Sequence, residues 1–317
     1  MQIKIISAVY VFVLACATAF GQAAAPAKAV PFVKKLKETV AFIQLSCQSG
    51  NTLLDIRGTG FFSFYPDERV GKDRGFAYLV TNRHVAQCWD ENDHPMQVKS
   101  ISLRMNFADG GSRVIDLNRS GNVPWVLPSD DSVDLAIFPL AFDPKTIEYI
   151  PIPLSVFATD DVIASRDISE GSRIVFSGFF VQFQGEHRMQ PIVREGIIAM
   201  MPDEKLLNTT GKLGKVFLGD VHIFGGNSGS PVFVDLAGMR GGSIIAGEDY
   251  RLLGVVSGYF YEDQELSLKA ATTLKGKAHA NSGIAIIVPA SALKELIEDP
   301  RVKSKREAIV AGLKPND

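Results

Sequence analysis

The sequence of 317 residues predicts an all-β fold, either a sandwich or a pair of barrels. About a dozen short runs of apolar and β-branched residues recur roughly every ten residues, with Gly, Asn, Asp or Pro between them. Strands that alternate with long helices would indicate a parallel sheet, and this pattern is absent from the sequence. The predicted strands are Thr39–Leu45, Gly60–Phe64, Phe76–Thr81, Ile101–Phe107, Arg113–Leu117, Leu135–Leu140, Arg173–Phe180, Glu195–Met200, Val216–Phe224, Pro231–Val234, Leu252–Val256 and Gly283–Val288.

One helix is predicted with a clear pattern, and it follows the last strand. Pro289 to Ser291 open it, and Ala292 to Glu298 carries Leu293, Leu296 and Ile297 at helical spacing. A proline at position 300 ends it, because proline cannot continue a helix. We expect residues 298–317 to form a charged, partly ordered tail.

The composition excludes several classes of protein. The chain has 46% hydrophobic residues, 28 Gly and 16 Pro, which fits a globular protein and excludes low-complexity disorder and collagen. Its 33 Lys+Arg and 35 Asp+Glu give a net charge of -2, so it lacks the basic surface that drives binding to phosphate backbones. We therefore expect no nucleic-acid partner.

The N-terminus has the pattern of a secretory signal peptide, residues 1–21. Lys4 is followed by an apolar run over residues 5–15 and by small residues up to Gly21. The run is too short to span a bilayer comfortably, although a retained anchor or a buried helix would be alternatives. Cys16 loosely resembles a bacterial lipoprotein acceptor that would carry a lipid anchor, but the Leu before the Ala that precedes it fits that pattern poorly. Residues 22–38 are predicted as a linker with a short helix, and the protein as periplasmic or secreted.

Two cysteines remain after the signal peptide, Cys47 and Cys88. Thiols of an exported protein can pair, and such a bridge would close a loop of about 40 residues and add roughly 3 to 4 kcal/mol. The alternative is two buried free thiols.

Three segments place a polar residue at the edge of an apolar strand. The strand 78–81 runs into His84, Asp134 opens a second strand, and glycines flank Ser228 in the segment 225–231. A serine hydroxyl is a weak nucleophile at neutral pH, so it needs a base, and the base needs an acid that fixes its tautomer. The sequence therefore predicts a catalytic triad of His84, Asp134 and Ser228.

The glycines around Ser228 also predict an oxyanion hole. Backbone N–H groups can converge on a developing negative charge only where side chains do not crowd the turn. The N–H groups of Gly226 and Ser228 are the natural pair, and each such donor is worth about 3 to 4 kcal/mol in the transition state.

Other residues in these segments have less specific interpretations. Asp130 and Asp131 compete with Asp134 for the role of the acid, but the Leu-Ala-Ile that follows favours Asp134. The remaining candidate bases are expected to be surface or loop residues: His94, His187 and His279.

The spacing of histidines and cysteines matches no zinc motif, so neither a metal nor another cofactor is expected. An α/β-hydrolase elbow is disfavoured because Pro231 and a strand follow the serine where that motif needs a helix.

The three segments together resemble the trypsin-like serine proteases, in particular their bacterial HtrA-like and glutamyl-endopeptidase-like branch. The order His84, Asp134, Ser228, with separations of 50 and 94 residues, fits that family. The resemblance covers residues from about 39 to 297, taken as one protease domain. It implies two six-stranded antiparallel β-barrels, with His84 and Asp134 on the first barrel and Ser228 on the second.

The same resemblance implies further roles. The strand that contains Ser257 and Gly258 would bind the substrate main chain as an added strand. His222 falls where the family places the residue at the base of the specificity pocket, and there it would either favour an acidic side chain or merely line the wall. Cys47 and Cys88 bracket a region where trypsin-like enzymes often carry a disulfide.

The sequence departs in two ways from the digestive members of this family. The chain has no activation site of the digestive enzymes near its mature N-terminus, and Asn227 stands where those enzymes have an Asp. A neutral Asn needs no buried ammonium partner, so no zymogen switch of that kind is expected. We also expect no C-terminal PDZ domain.

The sequence therefore predicts an exported, metal-independent serine endopeptidase that acts on polypeptides through an acyl-enzyme. The alternative is a catalytically silent relative that binds peptides or partner proteins in the same groove.

Overall fold

A computed structural model describes residues 12–13, 32–90, 92, 94–117, 125–240, 243–269 and 273–313. The predicted signal peptide other than residues 12–13, the linker up to residue 31, Cys16 and the last four residues of the predicted tail lie outside the described residues. No helix in the described ranges is long and apolar enough to cross a membrane.

The N-terminal half is a curled sheet whose strand pairs are antiparallel except for the parallel pair of β8 and β3. Its order is β7-β4-β3-β2-β5-β6, with β1 also on β4 and β8 on β3. Ile115 of β6 and Phe138 of β7 share one core with Ile43 and Leu103, so the outer strands face each other around it. Among the described residues no ladder joins β6 to β7. The elements are β1 (Phe12–Val13), α1 (Phe32–Glu38), β2 (Val40–Ser49), β3 (Thr52–Pro66), β4 (Arg74–Thr81), α2 (Arg83–Ala86), β5 (Gln97–Asn106), β6 (Ser112–Asp116), β7 (Ala136–Pro139) and β8 (Ile152–Pro153).

The C-terminal half is a closed six-stranded barrel of order β10-β13-β18-β17-β14-β9. Alternate apolar residues such as Ile174, Phe176, Val232 and Val234 point into its core, as expected for strands with period-two patterning. Two short hairpins, β11–β12 and β15–β16, lie outside the barrel. The elements are α3 (Asp160–Ser165), β9 (Arg173–Gly178), β10 (Ile192–Met200), β11 (Leu206–Leu207), β12 (Leu213–Gly214), β13 (Phe217–Asp220), β14 (Pro231–Asp235), β15 (Gly238–Arg240), β16 (Ser243–Ile245), β17 (Tyr250–Lys269) and β18 (Thr273–Pro289).

Two helices follow the barrel, α4 (Ala290–Glu298) and α5 (Pro300–Gly312). The predicted all-β class with a C-terminal helix, α4, is confirmed. The sequence did not reveal α5, which lies within the segment expected to be a charged tail. Asp299 caps it by accepting from the Arg301 N–H at 2.8 Å, and proline at its first position fits the helix start. Its anchor is a buried arginine, Arg306, which hydrophobic periodicity cannot detect.

One apolar core spans both halves of the chain. Phe42 and Tyr78 of the N-terminal sheet belong to the same buried cluster as Phe233 and Val255 of the barrel. Because this core is shared, residues of the two halves face each other along a fixed junction, and the candidate site lies there.

Candidate active site

His84 sits on a single helical turn that starts where β4 ends. The preceding Asn82 is buried and donates from Nδ2 to the Asp134 carbonyl oxygen at 2.9 Å. Four residues after His84, Cys88 forms a disulfide with Cys47 of β2, with Cα atoms 6.2 Å apart. The predicted disulfide is confirmed, and it fastens the end of the His84 segment to the sheet.

Asp134 is buried beneath His84. Its side chain is 1% exposed, whereas the imidazole is 39% exposed and faces the solvent. The His84 Nδ1 lies 2.8 Å from Asp134 Oδ2, and the His84 backbone N–H donates to Oδ1 at 3.2 Å. Two bonds to one carboxylate fix both the backbone and the ring, so Nε2 is directed away from the acid.

The environment shifts the pKa of both groups. Burial of the His84 ring opposes its charged form, but the charge and hydrogen bond of Asp134 outweigh this effect and raise the pKa of His84. Burial would raise the pKa of Asp134, yet His84 and the hydrogen bonds to the carboxylate prevail and lower it. Asp134 is therefore the ionised partner of a base whose proton affinity it increases.

The segment before β14 forms a tight turn around Ser228. Gly226 and Gly229 have φ values of +97° and +88°, which favour glycine. A Cβ on Gly229 would lie 1.9 Å from the Thr59 carbonyl oxygen, so only glycine fits there. Asn227 is buried, donates from Nδ2 to the Phe179 carbonyl at 2.9 Å and accepts from the Phe224 N–H at 2.8 Å.

The two predicted oxyanion donors are free in this turn. The Gly226 carbonyl accepts from Thr59 Oγ1 at 2.7 Å, and the Ser228 carbonyl accepts from the Thr59 N–H at 2.8 Å. In the described part of the chain, the N–H groups of Gly226 and Ser228 donate to no acceptor. Both are thus available to a negatively charged oxygen.

The structure brings Ser228 to the same junction as His84 without a hydrogen bond between them. A Cβ placed on Gly58 would meet Val85, the neighbour of His84, at 2.7 Å and the Ser228 carbonyl oxygen at 3.3 Å. The Ser228 hydroxyl donates to the Ser257 carbonyl oxygen at 3.2 Å. Across the described residues, it makes no hydrogen bond to His84.

The residues predicted to bind substrate occupy different environments. Ser257 is buried and its hydroxyl donates to Asp134 Oδ2 at 2.5 Å, so it also belongs to the acid's surroundings. Gly258 follows it on β17, and a Cβ there would lie 2.4 Å from Thr209 Cγ2. His222 is exposed, and its ring lies beside Gly283. Unlike Ser257, it makes no hydrogen bond to Asp134 among the described residues.

Thr209, which the sequence did not indicate, also contacts this cluster. Its hydroxyl lies 3.2 Å from Asp134 Oδ2 and also contacts the Ser257 hydroxyl. The Asn-Thr-Thr-Gly segment from residue 208 signals a turn, but nothing in it indicates a contact with an acid 75 residues away.

A cavity of about 350 Å³ opens beside this cluster. Its lining includes His84, Arg83, Trp89 and Lys212, so an exposed imidazole edge and two cationic side chains face it. Within the described ranges, no group of three or more His, Cys, Asp or Glu side chains is arranged to hold a metal ion.

Of the known proteins compared with this chain, only solved structures match it. No protein-family model and no curated protein sequence matches this chain. Among solved structures, the chain is similar to the crystal structure of the Rv3671c protease from M. tuberculosis in its active form, with 18% sequence identity and a TM-score of 0.48. The similarity covers 84% of this chain and 83% of that chain. The function of this protein must therefore be inferred from its own residues and their geometry.

Proposed function

We propose that the protein is an exported serine endopeptidase of the trypsin-like kind, acting on polypeptides through an acyl-enzyme. The observation that carries this proposal is the buried Asp134 carboxylate bonded to an exposed His84 ring, next to a serine turn with two free N–H donors. Such a combination is what acyl transfer requires.

In the proposed reaction, the Ser228 hydroxyl turns from the Ser257 carbonyl towards His84 Nε2. Hydrogen bonds of this kind are often absent or poorly aligned without substrate. His84 accepts the hydroxyl proton as Ser228 Oγ attacks the scissile carbonyl carbon, and Asp134 stabilises the resulting imidazolium. The N–H groups of Gly226 and Ser228 bind the oxyanion, His84 then protonates the leaving amine, and a water molecule hydrolyses the ester by the same route.

The peptide substrate would pair as an extended strand with β17 near Gly258. The disulfide supports an oxidising compartment, in line with the proposed export. Within the trypsin-like class, we propose the HtrA-like or glutamyl-endopeptidase-like branch.

A fluorophosphonate probe tests the nucleophile directly. We expect the mature protein to become labelled at Ser228, and we expect Ser228→Ala and His84→Ala to lose labelling and nearly all peptidase activity while melting close to wild type. Lys294→Ala is a matched control, because Lys294 lies on α4 in an exposed pair with Glu298. Labelling that persists in Ser228→Ala would end the assignment.

One observation favours a second candidate, a silent protein that binds peptides. The Ser228 hydroxyl bonds the Ser257 carbonyl, and Thr209 covers Gly258, so the groove contains contacts that a substrate would have to displace. A folded wild-type protein that binds peptides yet never reacts with the probe would support this candidate.

The role of His222 can be tested by a peptide-library cleavage profile. If the proposed glutamyl-endopeptidase-like preference holds, cleavage follows Glu and His222→Ala reduces that preference without lowering the melting temperature, because the ring is exposed. An identical profile for the variant and wild type would remove His222 from the specificity pocket.

A further inference from the structure

The Asp134 carboxylate has more hydrogen-bond donors than the triad provides. Oδ2 receives His84 Nδ1 at 2.8 Å, the Ser257 hydroxyl at 2.5 Å and the Thr209 hydroxyl at 3.2 Å. The two hydroxyls also contact each other. The Thr209 hydroxyl donates its proton either to Asp134 Oδ2 or to the Ser257 hydroxyl. It therefore stabilises the carboxylate either directly or through Ser257.

Thr209 belongs to a hairpin of the C-terminal half, and it crosses to the acid of the N-terminal half. Asn208 is buried and donates from Nδ2 to the Ser132 carbonyl at 2.7 Å, two residues before Asp134. A second link is the ion pair between Lys212 and Asp131. The β11–β12 hairpin is thus attached to the segment that carries the acid.

The turn holds the Thr209 side chain at two points. Its methyl group packs on Gly258, where an added Cβ would lie only 2.4 Å away, and its hydroxyl contacts Asp134. A β-branched side chain has few χ1 choices, so a methyl contact on one side directs the hydroxyl to the other. The next residue, Thr210, instead donates its hydroxyl to Asn208 Oδ1 at 2.8 Å.

We infer that Thr209 is a positioning residue of the proposed peptidase: its hydroxyl, carried across the junction by the β11–β12 hairpin, orients the Asp134 carboxylate that in turn orients His84. The inference rests on the proposed function for its consequence in catalysis. The arrangement of hydroxyl, acid and imidazole can be tested without it.

Thr209→Val and Thr209→Ser separate the hydroxyl from the methyl group. Valine keeps the methyl on Gly258 but removes a donor that partly neutralises the carboxylate. We therefore expect the pKa of His84, measured by imidazole NMR, to rise in Thr209→Val and to stay at the wild-type value in Thr209→Ser. In parallel, we expect kcat/KM to fall about tenfold in Thr209→Val, mainly through kcat, because one hydrogen bond to a charge is lost.

Thr210→Val is the matched control, since its hydroxyl bonds Asn208 and not the acid, and it should leave the His84 pKa unchanged. Every variant keeps the other charged groups that face the cavity, Arg83, Asp131 and Lys212. Thr209→Ala is a second hydroxyl deletion of smaller volume. It should shift the titration in the same direction as Thr209→Val, so the inference stays testable if valine prevents folding.

The inference is overturned if the pKa of His84 in Thr209→Val and Thr209→Ala equals the wild-type value. It is also overturned if Thr209→Ser shifts the pKa of His84 as far as Thr209→Val does, since the methyl group would then account for the effect. Repeating the titration in a Ser228→Ala background separates the two hypotheses. Absence of probe labelling in the wild type would reject the peptidase, whereas the His84 titration in Ser228→Ala would still report on Thr209.

Discussion

Asn227 holds the serine turn with neutral hydrogen bonds. Its Nδ2 faces the Phe179 carbonyl and its Oδ1 accepts from the Phe224 N–H. Both partners are backbone groups, so the turn keeps its shape without an ion pair.

Asn227→Asp would place a carboxylate oxygen against the Phe179 carbonyl in a buried site. Burial and this repulsion raise the pKa of the new carboxyl above its unfolded value, so the folded state favours the protonated form. We expect a small loss of stability at acid pH and a loss of about 3 to 5 kcal/mol as pH rises through the folded pKa. Urea unfolding of the variant and wild type at pH 4.5 and pH 8 measures this, and equal losses at both values would contradict it.

The pH dependence of activity follows from the raised pKa of His84. In the proposed reaction the neutral imidazole acts as the base, and this form predominates above that pKa. The acidic limb of kcat/KM should therefore have its midpoint above the ordinary histidine value of about 6.5. Asp134→Asn should move the histidine titration to lower pH and reduce kcat by about 10⁴.

Stopped assays across pH 5 to 9, with imidazole NMR of the same samples, provide the comparison. A limb below the free histidine value, or an Asp134→Asn variant with near wild-type turnover, would show that the acid does not act on His84.

The sequence could predict only those site residues whose signals are local. His84, Asp134 and Ser228 each stand at the edge of an apolar strand, and glycines surround the serine. The role of the Ser257 hydroxyl could not be found in this way, because it reaches Asp134 across 123 residues. The contact of Thr209 with Asp134 could not be predicted for the same reason, because the two residues are 75 positions apart.

Among the elements, α2 depends on its attachments because four residues are too few for a stable helix. The buried disulfide between Cys47 and Cys88 closes a separation of 41 residues and holds the end of this segment against β2. The cross-link thus supports the element that carries His84.

Replacing both cysteines by serine should lower the free energy of unfolding by roughly 3 to 4 kcal/mol, chiefly because the unfolded chain regains its freedom. Denaturant unfolding of the double variant against oxidised wild type measures the loss, and reduced wild type is the control. An unchanged midpoint after complete reduction would argue against a stabilising bridge.

The elements most visible in the sequence are the barrel strands and α4, since period-two and helical patterns mark them. The β17 and β18 strands extend well beyond the predicted runs of Leu252–Val256 and Gly283–Val288. Charged and polar residues interrupt the extensions, as in the run Glu-Asp-Gln-Glu at 262–265 and at Lys275 and Lys277, so they lack the continuous apolar pattern on which the prediction rested.

For the molecule as a whole, α5 connects the C-terminus to the N-terminal sheet. Arg306 is buried, donates to the Tyr78 hydroxyl at 2.9 Å and to the Ile297 carbonyl at 2.7 Å, and lies over the Tyr65 ring. A charged side chain with these partners is costly to truncate.

Arg306→Met should therefore lower the free energy of unfolding by about 2 to 3 kcal/mol, because two charged hydrogen bonds are lost and the Tyr78 hydroxyl stays buried. Lys305→Met, at an exposed position of the same helix, is the matched control and should change little. Thermal and urea unfolding give the values, and equal effects of the two substitutions would contradict the assigned anchor.

Two helices, α1 and α5, each pack on the half of the molecule to which they do not belong by sequence. Phe32 of α1 stacks on Tyr250 of the barrel with ring centroids 3.5 Å apart, while α5 is bound to the N-terminal sheet through Arg306. A protease nick in the connection between the halves, within residues 158–171, would thus leave two fragments that remain associated and melt in a single transition. Strong denaturant, and not dilution, would be needed to part them.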